Sequence, residues 1–327
     1  MLLPPIPTPL IHDVVPSVLI CPSVAVISFA RSVRFSPTQP ITKHRPNFGK
    51  SIVSTDGFDF MPQLFQPQTL EQALQLLAQH PDARIVSGGT DIHGAPETLI
   101  SISQIPGLDY IREEGDYIRL GARVTHAQVI ASDLLNRLAR PLVRACSLIN
   151  DAKVREHGTI AGNLASGLST NLTVAALWAM GAEVKLKSAR GERVVTFNDF
   201  FKGVRQTTLA PGEMIVEVAF SKMSPKDKGT FVCTGWSEDE SAANVTCAIV
   251  LEFEDDEISN AWINLGGIAP TVVNAIEAEQ ALVGQWLSDA VINEAADLAV
   301  NAIVTRPDTA ETVRELVTRA LREIRDG

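Results

Sequence analysis

The sequence predicts an α+β protein of two or three small domains. Three observations carry that expectation. Helical periods and strand-like runs occur in mixed order along the chain. The composition, 45% apolar and 20% charged, is that of an ordinary globular chain. At 327 residues, the chain is also longer than one core normally holds.

The first regular element is expected only after Met61. Nine of the 19 prolines fall within the first 46 residues, and Asp13 is the only acidic residue before Asp56, so residues 1–60 read as an irregular extension. Its apolar stretch Val18 to Ala30 is broken by Pro22 and lacks the charged start of a secretory signal. The extension reads either as a disordered tail or as the product of a mis-called start codon, with Met61 the natural start, because structure signals begin just beyond it. Thr69-Leu-Glu-Gln72 has capping-box form, and Leu70, Ala73, Leu74 and Leu77 follow on one helical face. Arg84 to Ser87 reads as a buried strand running into Gly88-Gly89, with further strands at Leu99 to Ile102 and Ile118 to Leu120.

Thr125 is placed to cap a short helix. Pro141 suits the first turn of another, whose face is Leu142, Ala145, Cys146 and Ile149. Strands are expected at Ala182 to Leu186, Arg193 to Thr196 and Met214 to Phe220, followed by a polar linker from Ser221 to Gly229. Beyond it, Val245 to Phe253 and Trp262 to Leu265 should pair antiparallel across the acidic turn Glu254 to Glu257. Helices are expected near Ile276 to Val283, Ala290 to Val300 and Ala310 to Ile324. In the last of these, Val313, Leu316, Val317, Ala320, Leu321 and Ile324 form the core stripe.

Composition excludes several function classes. A formal charge of −10 with no basic stripe argues against nucleic acid. No apolar run reaches the roughly 18 residues of a membrane span. Cys21, Cys146, Cys233 and Cys247 form no C-x-x-C pair and the six histidines are scattered, so no metal site is expected, and a reducing cytoplasm is the expected compartment. Gly49-Lys50-Ser51 imitates the end of a P-loop, but His44 stands where its first glycine belongs. Neither G-x-S-x-G nor G-x-G-x-x-G occurs, and no general acid/base pair is evident, so no catalytic side chain is assigned.

Two small-residue loops remain, Ser87-Gly-Gly-Thr-Asp91 and Gly158-Thr-Ile-Ala-Gly-Asn163. Loops without side-chain bulk let backbone N–H groups approach an anion, so the pair could hold a diphosphate from two sides. The alternative is a pair of tight turns in which glycine supplies positive φ. Likewise Asp91 could cap a turn, Thr125 a helix, and His126 could simply be packed. Trp178 and Trp262 read as core. Glu238-Asp-Glu240 and Glu254 to Glu257 read as solvated charge runs, or as an acidic face for a partner.

From about Phe65 onward the chain carries, in order, Pro67-Gln-Thr-Leu-Glu-Gln-Ala73, Val86-Ser-Gly-Gly-Thr-Asp91, Leu120-Gly-Ala-Arg-Val-Thr-His126, Thr159-Ile-Ala-Gly-Asn163, Gly203 with Thr208-Leu-Ala-Pro-Gly-Glu213, and Gly266-Gly-Ile-Ala-Pro-Thr271. In these it resembles the FAD-binding medium subunit of molybdenum hydroxylases, the group of xanthine dehydrogenases, aldehyde oxidoreductases and aerobic carbon monoxide dehydrogenases.

The resemblance implies a two-lobed FAD-binding domain of the molybdopterin dehydrogenase type over 61–222. A smaller C-terminal domain of antiparallel sheet plus helices would follow over 228–327. It implies FAD contacts from Ser87, Gly88, Gly89, Thr90, Asp91, Thr125, Thr159, Ile160, Ala161, Gly162 and Asn163, with Ile215 packing on the flavin. It further implies electron transfer from a [2Fe-2S] small subunit to a terminal acceptor, with a molybdopterin-binding large subunit oxidising the substrate.

The chain departs from the family pattern at several places. The loop after the first motif is short. Leu172 stands where relatives often place an Asp, Glu156 replaces Asn, Ala161 replaces a glycine, and Cys233 replaces Lys. A structural subunit with weakened or lost FAD binding is therefore the alternative.

Overall fold

The computed structural model describes residues 62–327 apart from 93, 95, 235–243 and 304. The expected irregular extension, Met61, the P-loop imitation and the acidic run 238–240 lie outside the described residues.

The chain begins with β1 (Gln63–Phe65), α1 (Leu70–Gln79), β2 (Arg84–Val86) and β3 (Thr98–Ser101), whose strands form a parallel sheet in the order β1-β3-β2. α1 starts where the sequence places it, because Thr69 Oγ1 accepts the N–H of Gln72 at 3.2 Å. The returning bond of the capping box goes one residue further back, from Gln68 N to Gln72 Oε1 at 2.8 Å. Leu74 and Leu77 on its apolar face are buried. β2 is an edge strand, so Arg84 is exposed and Ile85 and Val86 only half-buried, in place of the fully buried strand expected.

Next come β4 (Ile111–Glu114) and β5 (Tyr117–Gly121), then six short helices: α2 (His126–Ala131), α3 (Asp133–Leu138), α4 (Arg140–Ser147), α5 (Ala152–His157), α6 (Ile160–Ala165) and α7 (Leu172–Ala179). β6 (Glu183–Ser188), β7 (Gly191–Thr196), α8 (Phe197–Phe200), the small hairpin β8 (Phe201–Gly203) and β9 (Gln206–Thr207), and β10 (Met214–Ser221) complete this part. The second sheet is antiparallel in the order β4-β5-β10-β6-β7. β10 is its centre, which is why Met214–Phe220 is a continuous buried run with no polar alternation.

The C-terminal part contains β11 (Lys228–Cys233), β12 (Thr246–Glu254), β13 (Glu257–Gly266) and β14 (Val273–Asn274), an antiparallel sheet in that order. α9 (Ile276–Leu282), α10 (Asp289–Ala299) and α11 (Ala310–Asp326) follow. The acidic turn joins β12 to β13 as expected, with Asp255 and Asp256 at φ 50° and 71°, although β13 starts five residues before the predicted strand. Both faces of this sheet are covered. Phe231, Ala248 and Val250 point to the first core, where α4 and α7 pack, whereas Val232, Cys247 and Ile249 point to a second core closed by α9, α10 and α11. All six residues of the predicted α11 stripe are buried there.

Candidate functional site

The first predicted loop leaves β2 at the C-terminal end of the parallel sheet. Gly89 holds φ 69°, a left-handed conformation that glycine adopts without a Cβ penalty. Gly88 answers a different constraint. A Cβ there would overlap the carbonyl oxygen of His157, so the two backbones lie in direct contact. Thr90 brings its Oγ1 beside Gly158, within 3.2 Å of where a Cβ on that glycine would sit. Among the described residues, the N–H groups of Gly88, Gly89 and Thr90 have no hydrogen-bond partner.

The second predicted loop is not a loop. Gly158 has φ −63°, Thr159 is an N-cap, and Ile160 to Asn163 lie in the first turns of α6. The tight-turn alternative needs glycine at positive φ, but here Gly162 is helical and its N–H is taken by Thr159 Oγ1 at 3.1 Å. Ile160 and Ala161 are buried, so the anchoring side of this segment is hydrocarbon and its outward side is the exposed Gly162.

A third segment locks the two together. Thr125 and Thr159 form an isolated antiparallel bridge, Ile160 N donates to Val124 O at 2.9 Å, and His126 N donates to Gly158 O at 3.2 Å. Thr125 also makes the complete capping box of α2 with Gln128, at 3.2 and 2.8 Å. Its helix-capping role is real, and it coexists with a place in the seam.

Behind the seam sits His126, 1% exposed, with its Nδ1 3.5 Å from Cys146 Sγ of α4. Burial lowers its pKa to about 4, so the ring is neutral at pH 7. Burial pushes the Cys146 thiol far up, which removes it as a nucleophile. The packed reading of His126 is therefore the correct one.

Around the rim, Asn163 Oδ1 accepts the Thr173 hydroxyl, and Asn171 Nδ2 donates to Asn163 O at 2.9 Å and Ser166 Oγ at 2.7 Å. Leu172 opens α7 and is half-buried. Asn171 thus does not stand in for the carboxylate expected at this point, because its amide hydrogens are held inside the protein. Ile215 lies in β10 opposite Leu186, 5% exposed, on the strand against which α6 packs. Asp91 is exposed at the end of the first turn.

The residues present fit a dinucleotide phosphate. N–H donors with no partner among the described residues, glycines at the closest approach and an exposed helical glycine give a surface that anionic oxygens can reach. A separate concavity of about 520 Å³ between α4, β11 and the end of α11 contains none of these residues. Its Arg144 is paired with Glu323 at 2.9 Å.

The sequence reading missed Glu217, a lone acid in the apolar run of β10. It is 3% exposed and accepts from Tyr110 Oη at 2.5 Å and Arg119 at 2.7 Å, with Lys185 at 3.7 Å. Burial pulls its carboxyl upward, but these hydrogen bonds and charges outweigh burial and the net shift is downward. Its isolation among apolar neighbours was the available signal. Among the described residues, no three His, Cys, Asp or Glu side chains cluster as metal ligands, and no helix is long and apolar enough to cross a membrane.

Comparison with known proteins agrees with this geometry. Residues 58–222 match the model of the FAD binding domain in molybdopterin dehydrogenase, and 237–323 match the CO dehydrogenase flavoprotein C-terminal domain. The nicotine 6-hydroxylase medium subunit of Paenarthrobacter nicotinovorans is 30% identical over 271 residues, 79% of this chain and 95% of that one. The carbon monoxide dehydrogenase medium chain of Hydrogenophaga pseudoflava is 30% identical over 248 residues, 72% of this chain and 84% of that one. A solved carbon monoxide dehydrogenase from Hydrogenophaga pseudoflava, lacking the Mo-pyranopterin moiety of its cofactor, superposes with a TM-score of 0.73 at 28% identity, covering 80% of this chain and 96% of that one.

Proposed function

Because this chain belongs to the FAD-binding medium subunits of the molybdenum hydroxylases, we propose that it passes electrons from an iron-sulfur partner to a terminal acceptor. FAD is its cofactor. When bound, the flavin supplies the redox chemistry, and the protein supplies position and electrostatics.

The observation that carries the reading is the meeting of three distant segments at Gly158, where Gly88 to Thr90 present N–H groups that have no partner among the described residues. In this proposal the backbone of Ser87, Gly88, Gly89, Thr90 and Asp91 takes one side of the diphosphate. Thr159, Ile160, Ala161, Gly162 and Asn163, braced by Thr125, take the other. Thr159 does its work largely through its cap, holding the turn in shape. Ile215 provides an apolar support through α6. No residue is assigned a proton-transfer role, as suits a relay.

The partners we propose are a molybdopterin-binding large subunit and a [2Fe-2S] small subunit. The division of the chain is an FAD-binding domain at 61–222 and a C-terminal domain at 228–327. The cytoplasm is the proposed compartment, in keeping with the free thiols Cys146, Cys233 and Cys247.

The test is to purify the complex from its native host, record its visible spectrum and quantify flavin released on denaturation. One FAD per chain is expected, with both partners identified by mass spectrometry. A complex without stoichiometric flavin overturns the reading.

A further inference from the structure

We propose that the outer side of α9, together with the tip of the β12–β13 hairpin, is a docking surface for a partner subunit that presents lysines and arginines around an apolar recess. The proposal rests on the multi-subunit reading above, and it adds which face of this chain is used and what chemistry meets it.

α9 has a clear inner side. Ala278 and Leu282 are buried in the second core, and the Glu279 carboxylate accepts the N–H of Ile263 at 2.8 Å. Its outer side is left uncovered. Ile276 is 57% exposed, Val283, seven residues on, is 47% exposed, and Trp286 in the following turn is 64% exposed. A soluble surface scatters such residues singly. Three of them here fall within eleven positions, two at the spacing of one helical side.

The tryptophan is held in place. Gly284 N donates to Ile258 O at 2.8 Å, and Ile258 N donates to Gln285 O at 3.1 Å, tying the turn to the root of the hairpin. Trp286 Nε1 also reaches Glu257 Oε1 at 3.4 Å. A large aromatic ring fixed in solvent loses little freedom on binding, which is the usual make-up of an interface anchor.

The charge around it is of one sign. From Gly229 to Thr305 the sequence has thirteen acidic residues and no lysine, arginine or histidine. The arginines of α11 are already engaged, Arg314 with Asp297 and Arg325 with Asp289. The carboxylates of Glu254, Asp255, Asp256, Glu257 and Glu277 take part in no ion pair among the described residues. Two copies of this face would set those carboxylates against each other, which disfavours a homodimer. A cationic rim on a different chain satisfies them, and its apolar centre covers Trp286.

The experiment is hydroxyl-radical footprinting, read by peptide mass spectrometry, on the full chain alone and in the copurified complex. Oxidation of Trp286 should fall about fivefold or more on assembly. A Trp286→Ala, Val283→Ser double variant should recover about tenfold less partner while keeping its flavin content and melting temperature. Equal labelling of Trp286 in chain and complex overturns the proposal, as does protection of Trp286 in a dimer of this chain alone. Flavin content measured on the same samples reports separately on the FAD reading: unprotected Trp286 in a flavin-loaded complex sinks only the docking surface.

Discussion

At Gly88 one turn presses its backbone onto the His157 carbonyl with no room for a single added carbon, whereas around Leu321 the second core is closed by side chains that fit because every carbon is present. The seam is built from main chain meeting main chain: the Thr125–Thr159 bridge, the bonds of His126 N and Ile160 N, and glycines at the points of contact. The C-terminal sheet is built from hydrocarbon on both faces, with Ile249, Ile263, Val317 and Leu321 fully buried. The difference teaches that the seam should fail when atoms are added and the C-terminal core when they are removed. A surface that must show its N–H groups to an anion cannot also bury them under side chains.

The sharpest way to break that contrast is Gly88→Val. Its branched side chain has nowhere to go except into the His157 carbonyl, so the turn must move. A loss of about 4 kcal/mol or more and near-complete loss of flavin are expected, measured by denaturant titration and by released FAD. A variant that keeps stoichiometric flavin would show that the close approach at Gly88 is dispensable.

Leu321→Ala tests the other side. Removing a fully buried leucine from α11 should cost about 3 kcal/mol through lost transfer energy and a cavity, while flavin content at temperatures below unfolding stays unchanged. If flavin falls in step with stability, the two regions are one cooperative unit with respect to the cofactor, and the contrast dissolves.

The smallest effect refines the seam itself. Buried His126 titrates near pH 4 in the folded chain, below the ordinary value of 6.5 in the unfolded one. The unfolded state therefore binds more protons between these values. The stabilisation is fully present above pH 6.5 and is lost as pH falls from 6.5 towards 4. Between pH 7.5 and 5 the wild-type chain should lose roughly 2 kcal/mol from this group, and His126→Asn should lack that part of the slope. Parallel pH profiles for the two would mean that the His126 ring keeps an ordinary pKa in the folded chain.

Legibility in the sequence followed the range of the interactions. α1 and α11 were evident because cap and stripe are local: Thr69 bonds three residues ahead, and Val313 to Ile324 repeat with the helical period. The β12–β13 pair was evident from its two apolar runs and acidic turn. Of the helices between Asp133 and Ala179, α4 was evident from Pro141 and its apolar face, but the others were invisible, because six- to eight-residue elements hold too few turns to show a period. The segment Gly158 to Asn163 was misread as a loop, since its small residues fit a turn equally well and only the bond from Gly162 N to Thr159 Oγ1 decides for a helix. Glu217 was overlooked because its partners Tyr110, Arg119 and Lys185 come from three other segments.

The sequence by itself determined the α+β class, the order of the main elements, and which short segments could face a phosphate, because composition, caps and periodicity act over a few residues. Tertiary structure alone decided that Gly88, Thr125 and Gly158 meet, that Asn171 turns its amide inward and that Trp286 stands in solvent beside Glu257. Each of these depends on contacts between residues far apart in the chain, and no local pattern encodes which distant backbone a glycine will touch.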